Sequence, residues 1–431
     1  FDVSRAIYKS MLEFLAHQYQ TAYVVQPLPV SHFQAVFSAN REVTLNWQPV
    51  SDPLEPAAEP DRYVVYTREE GKGFDNGVLT DKPQYTIQNL DPGKIYSFKV
   101  CALNDGGLSF PSEILSVCYM DELQEPVLIV NGFDRIAPPA TLETHKYTGF
   151  ADFWDQGVPD KYNLNYIGRQ YDYDPHSLWL DDDAPGHGAS YANFETRRIA
   201  GNTFDFPLVH GQSIRAAGHS FIAVSDEAVM DGMIDLTDYH YVDLILGEEK
   251  TTPWPKPIRE PQFSAFPLKL QHKITEYLQP GKHLFLSGAY VGSDLWNTDK
   301  DSVNIRFANE VLKYFFRTNY AVTTGGLHAV DTTFFAGPDS LTFITELNEK
   351  QYAVEAPDAI EPADSLAKTI LRYSENNTSA AVAYKGQYDV VVLGFPFESV
   401  NRQKSKDALM EAVFNFFKRA TGKQLSFYGN K

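Results

Sequence analysis

The chain has 431 residues, more than one hydrophobic core organises, so two or more domains are expected. Hydrophobic residues at 43% and charged residues at 22% are globular proportions and exclude disorder as the general state. Against 37 Lys and Arg stand 56 Asp and Glu, and the net charge of −19 repels phosphate backbones and anionic lipid, which disfavours nucleic-acid binding and membrane-surface docking.

Aromatic content is high, with 25 Tyr and 29 Phe; it suits extracellular β-rich or carbohydrate-facing proteins and equally aromatic cores. No apolar run approaches transmembrane length. The chain begins at Phe1 and not at Met, so the absence of a leader says nothing about targeting. Two cysteines, Cys101 and Cys118, are too few for a zinc site or a disulfide framework, and no cofactor motif is present.

In chain order, residues 1–24 come first. Ile7, Met11 and Leu15 recur at helical spacing with Phe14 beside them, while Arg5, Lys9 and Glu13 take the other side. A lone amphipathic helix cannot bury that stripe and needs a surface to dock on. The Pro-bearing stretch Gln26–Val30 then reads as a linker.

Short alternating strands fill 25–120, at Val43–Trp47, Tyr63–Val65, Tyr85–Ile87, Tyr96–Ala102 and Ile114–Val117. Turn clusters at Asp91-Pro92-Gly93 and Asn104-Asp105-Gly106-Gly107 separate them, the punctuation of a β-sandwich. Trp47 is expected in the inter-sheet core, and Leu90 to Gly93 followed by Tyr96 reads as a tyrosine corner. The run from Tyr96 through Phe98, Val100, Ala102 and Asn104 to Gly107, Ser109 and Pro111 resembles the last two strands of a fibronectin type III domain. On that register Val100 and Ala102 face inward and Cys101 outward. Cys101 and Cys118, on neighbouring strands, then read equally as a cross-strand disulfide or as two thiols.

From about residue 121 to 431 the period changes. Continuous apolar runs at Val127–Val130, Phe221–Val224, Val242–Leu246, His283–Leu286 and Val390–Leu393 read as strands of a parallel sheet. Helical patterns lie between them, around Gly211–Ala217, Leu268–Leu278, Val303–Tyr314 and Lys406–Phe417, giving an open doubly wound α/β fold. The stretch 136–202 is too long for a crossover and reads as an insertion.

Ligands of such sheets bind beyond the carboxyl ends of the strands. There the pattern Gly288-Ala289-Tyr290-Val291-Gly292, followed by Ser293 and Asp294, has the small flanking residues of a strained strand-to-helix turn that presents a nucleophile. It resembles the nucleophile elbow of the class I glutamine amidotransferase-like (flavodoxin-like) fold, and Ala380–Gly386 with Val390–Glu398 resembles that fold's final hairpin. The resemblance implies a cysteine where Tyr290 stands. A phenol near its usual pKa of about 10 is a poor nucleophile at neutral pH, so the domain reads as degenerate.

A second cluster is Asp181, Asp182, Asp183 and His187. Carboxylates beside an imidazole can hold a hard cation or do acid–base chemistry, though the same acidic run before Ala184-Pro185-Gly186 is ordinary turn sequence. Its spacing matches no calcium loop, so no metal is assigned. Trp154, Tyr171, Tyr173, Trp179 and Trp254 are candidates for stacking on sugar rings, or for core. Glu398, just after the last strand, joins the candidate list.

The order of helix, fibronectin-like domain, Asn131 to Arg135, Asp181 to Gly186, Ala200 to Asp205 and Ser287 to Gly292 resembles the C-terminal part of secreted Bacteroidetes N-acetylmuramoyl-L-alanine amidases, several labelled xanthan lyase. The resemblance implies secretion or cell-envelope location, an upstream catalytic domain in cis whose last helix is 1–24, and peptidoglycan or another polysaccharide as partner. Two functions follow as expectations. One is a non-catalytic accessory region of a cell-envelope enzyme. The other is a carbohydrate-active enzyme, a polysaccharide lyase or hydrolase, with Asp181–Asp183, His187, Tyr290 and Asp294 at the sheet's carboxyl edge.

Overall fold

The computed structural model describes residues 2–19, 23–120, 125–145, 148–152, 154–164, 169–170, 176, 178, 190–191, 194, 196–254, 260–297 and 302–419. They divide into two compact units, Phe1–Gln124 with Ser220–Ile234, and Glu125–His219 with Asp235–Lys431.

The first unit opens with the helix Asp2–Tyr19, whose apolar residues Ile7, Met11, Phe14 and Leu15 are exposed. Lys9 anchors it, ion-pairing with Glu55 at 2.7 Å. Strands Ser31–Ala39, Glu42–Gln48 and Gln84–Ile87 pair antiparallel in one ladder. Arg62–Glu69, Val78–Thr80, Ile95–Asn104 and Leu115–Cys118 form a second. Alternate residues of both ladders meet in the core: Trp47 is buried, its ring 5.3 Å from Tyr63 and 6.5 Å from Phe33 in edge contacts. The tyrosine corner forms, with the Asp91 N–H donating to the Tyr96 hydroxyl at 3.2 Å. Phe221–Ser225, expected in the parallel sheet, is instead a strand of this unit that pairs antiparallel within it, Ala223 against Ala35 and Phe221 against Cys118.

Register corrects the cysteine expectations. Cys118 lies opposite Ile95, six residues along the strand from Cys101, a separation of about 20 Å at the usual strand rise. No disulfide spans that distance, and the two thiols are not bonded to each other. Cys101 is not on an outward face either; it is buried opposite Val64, because this strand is covered on both sides.

In the second unit Val127–Asn131, Tyr241–Gly247, His283–Gly288 and Asp389–Leu393 run parallel as neighbours in that order. Their apolar runs are buried throughout, the sign of strands covered on both faces. The sheet continues antiparallel through Ser379–Lys385, Ala367–Tyr373, Gly326–Ala329 and Ser340–Thr342. Helices Phe206–Ala216, Leu268–Tyr277 and Gln403–Lys418 accompany it. The helix expected over Val303–Tyr314 is shorter. Ser302–Arg306 passes into a π turn at Phe307–Val311, Lys313 turns the chain with φ 68°, and Tyr314 begins a strand. The β-prone run Tyr314-Phe315-Phe316 pairs with Ala359–Pro362, which outweighs the helical spacing. Between 136 and 202 lie two-residue and three-residue ladders, among them Thr141–Glu143 with Thr148–Phe150.

Candidate functional site

Strand order in the second unit brings the segments after Asn131, Gly247, Gly288 and Leu393 to one edge, the carboxyl end of four parallel strands. Tyr290, Ser293, Asp294 and Glu398 from the sequence lie on these segments. Trp154 is exposed, with its carbonyl accepting from the Tyr320 hydroxyl, and Trp254 is half-buried on the loop after the second parallel strand. Asp181, Asp182, Asp183, His187, Tyr171, Tyr173 and Trp179 lie outside the described residues.

The turn at Tyr290 is not the strained elbow expected: no residue from 288 to 294 has positive φ. Its glycines serve close packing. A Cβ on Gly292 would approach Phe316 to 2.7 Å, and one on Gly288 would approach Leu246 to 2.9 Å. Tyr290 is 1% exposed, its hydroxyl has no hydrogen-bond partner among the described residues, and burial followed by the Glu248 and Asp155 carboxylates drives its pKa far above the usual value. The N–H groups of Gly292 and Ser293 both donate to one oxygen of Asp358 at 2.7 Å. Burial pushes that carboxyl up to about 8 despite these bonds. Asp294 is likewise committed to structure. Its carboxylate accepts from Thr251 N–H at 2.8 Å, Thr251 Oγ1 at 3.0 Å and Ala265 N–H at 3.0 Å, clamping two loops.

Glu398 belongs to a wholly buried relay. His210 Nδ1 faces Asp243 at 2.8 Å and Nε2 faces Glu398 at 3.2 Å, while the Tyr352 hydroxyl donates to Glu398 at 2.6 Å. Burial alone would lower the imidazole's pKa, but the two carboxylates outweigh it and raise it to about 9. The balance favours the protonated form of His210, which is 0% exposed between the two carboxyl groups.

A third group gathers residues the sequence reading passed over. Arg135, 1% exposed, reaches Asp155 at 2.5 Å and Thr252 Oγ1 at 2.9 Å, and Lys250 reaches the same Asp155 oxygen at 3.1 Å with its ammonium 4.8 Å over the Tyr290 ring. Glu249 accepts the N–H groups of Asp134 and Arg135. Beside them a cleft of about 260 Å³ has Glu248, Glu355 and Tyr352 in its wall, with Pro138, Val158 and Pro159 among its apolar lining. Glu248 is 4% exposed; burial first, and the Glu355 carboxylate second, push it up to about 8. The signal was present: Glu248, Glu249 and Lys250 directly follow a strand, where ligand groups of this fold collect. Among the described residues no group of three or more His, Cys, Asp or Glu is placed to hold a metal ion.

The family model for the fibronectin type III domain matches residues 28–117. The netrin receptor DCC of Rattus norvegicus is 30% identical over 110 residues, covering 25% of this chain and 7% of the receptor. The striated-muscle M-protein of Gallus gallus is 28% identical over 151 residues, 34% of this chain and 10% of that protein. This chain therefore spans a tenth or less of the length of these relatives. Among solved structures, the FN5 domain of Drosophila Lar is 22% identical, covers 22% of this chain and 99% of its own, and has a TM-score of 0.18; titin domains A168–A170 are 25% identical, cover 21% and 30%, and score 0.19. Similarity of this extent concerns one module. Residues 28–117 are a fibronectin type III domain.

Proposed function

We propose that this chain is a non-catalytic accessory region of a secreted cell-envelope protein of the peptidoglycan-amidase type, in which the fibronectin domain spaces a degenerate amidotransferase-like α/β domain. The observation that carries the reading is the double donation of Gly292 and Ser293 to Asp358. In acyl transfer a turn of this kind would present a nucleophile and lend backbone N–H groups to the developing oxyanion. Here the position carries a buried tyrosine without a base, and two donors that follow it are spent on a carboxylate of the same chain. The exposed apolar stripe of Asp2–Tyr19 supports a role beside another domain, because such a stripe is covered in a working assembly. The fibronectin module supports an extracellular setting.

Glutamine hydrolysis tests the degenerate turn. Neither the chain nor its Tyr290→Cys variant should release ammonia from glutamine. Turnover by the variant at a rate above its Tyr290→Ala control would mean that the turn still holds a usable oxyanion site, and the reading would be wrong.

A further inference from the structure

We propose that the polar groove bounded by residues 196–199, 323–325 and 343–350 binds a neutral oligosaccharide of several sugar units. The inference rests on the glycan-associated reading above and gives it a site.

Size and stiffness come first. The groove holds about 1160 Å³ within one unit, above the roughly 300–1,000 Å³ of a site for a single small molecule. Its walls are tied before any ligand arrives. Glu375 accepts the N–H groups of Thr323 at 3.0 Å and Thr324 at 2.8 Å, and both of their hydroxyls. The Asn348 carbonyl accepts the Ala200 N–H at 2.8 Å, and its side-chain oxygen accepts the N–H groups of Lys350 and Gln351. Walls fixed in this way leave little ordering to be done on binding.

Lining chemistry comes second. Thr196, Thr345, Asn348 and Asn401 present hydroxyl and amide groups, types that both donate and accept. Half-buried Ile344 and Leu347 place apolar surface among them. A sugar has the matching make-up, with hydroxyls around the ring and C–H groups on its faces.

Charge and backbone select the class. Arg197, Arg198 and Lys350 stand against Glu346, Glu349 and Glu375, so the groove is balanced within a chain of net charge −19. Arg198 is itself engaged, over the Tyr162 ring at 5.2 Å and 4.0 Å from Glu349. A balanced groove draws in neither a polyanion nor a polycation. The exposed Arg197 and Lys350 instead supply charge-assisted hydrogen bonds to ligand oxygens. A peptide docks by adding a strand or by seating large apolar side chains. Here the edge of Ser340–Thr342 away from Gly326–Ala329 is already covered, by the Phe343–Val400 bridge and by the Asn401 N–H donating to the Thr342 carbonyl at 2.8 Å.

Calorimetric titration of the whole chain with a tetramer of N-acetylglucosamine tests the inference, beside a galacturonic acid tetramer and a hexapeptide of alternating glycine and serine. Saturable one-to-one binding of the first is expected, changing less than about twofold from roughly 0.05 to 0.5 M salt. Arg197→Ala and Lys350→Ala, at exposed positions, should keep the thermal melt of the parent chain and each weaken binding about tenfold or more, the loss of one charge-assisted hydrogen bond. No saturation by the neutral tetramer, tighter binding of the acidic one, equal binding of the peptide, or indifference of both variants would overturn it. The accessory reading fails separately. A chain that sediments with peptidoglycan yet ignores the tetramer loses the groove and keeps the reading; one that binds the tetramer yet does not sediment keeps the groove and loses the reading.

Discussion

Replacing His210 by glutamine removes a buried imidazolium and leaves Asp243 and Glu398 facing each other without a cation. Losing one member of a buried charged network typically destabilises by about 3–5 kcal/mol. The raised pKa is consistent with this, since a rise from 6.5 in the unfolded chain to about 9 in the fold corresponds to roughly 3 kcal/mol. The sign follows from the direction. A group whose folded pKa is raised stabilises fully below its unfolded value, and that contribution fades as pH climbs from 6.5 through about 9. Glu248 and Asp358, both pushed up to about 8, also hold protons more tightly in the fold and make stability fall with pH from near 4 upward. They do so in wild type and variant alike, so the difference between the two curves isolates His210. Urea unfolding followed by tryptophan fluorescence should show a gap of roughly 3 kcal/mol at pH 6 that narrows by pH 10. A gap below about 0.5 kcal/mol at pH 6, or one that does not change with pH, would refute a charged His210.

Other outcomes are equally direct. Tyr290→Phe removes a buried hydroxyl that has no partner among the described residues and should leave stability unchanged or raise it by about 1 kcal/mol in thermal melts; a loss above that would mean the hydroxyl is bonded. Gly292→Ala places a methyl against Phe316 and should destabilise by about 1–3 kcal/mol. Tyr96→Phe deletes the acceptor of the Asp91 N–H and should cost about 1 kcal/mol in the fibronectin domain. Thiol titration of the unreduced, denatured chain should find two reactive thiols, and one disulfide's worth of missing thiol would contradict the strand register.

Much of the fold was legible because it rests on period and punctuation. The alternation around Tyr96–Ala102 and the turn at Asp91–Gly93 specify the sandwich strands, and the unbroken runs at Val127–Val130 and Val390–Leu393 specify strands buried on both faces. What periodicity could not supply was which faces are covered. Cys101 alternates with core residues yet is buried, because burial on a second side leaves no mark on alternation. The site was less legible for a related reason. A carboxylate's meaning depends on its partners: Asp294 looked available beside Tyr290 but clamps Thr251 and Ala265, while Glu355, distant in sequence, meets Glu248. Asp243 inside an apolar strand was the one local sign of a buried network, since an isolated charge there demands a partner. The helix over Val303–Tyr314 failed at its end because three consecutive aromatic-flanked residues found a strand to pair with.

Co-sedimentation of the 431-residue chain with purified peptidoglycan, with the supernatant assayed for released sugar and peptide, tests the glycan association most directly. The accessory reading predicts saturable sedimentation with no product above the buffer control. Product release abolished by Glu355→Gln would contradict it and make the cleft at the carboxyl edge an active site, and a chain that neither sediments nor releases product would contradict the glycan association itself.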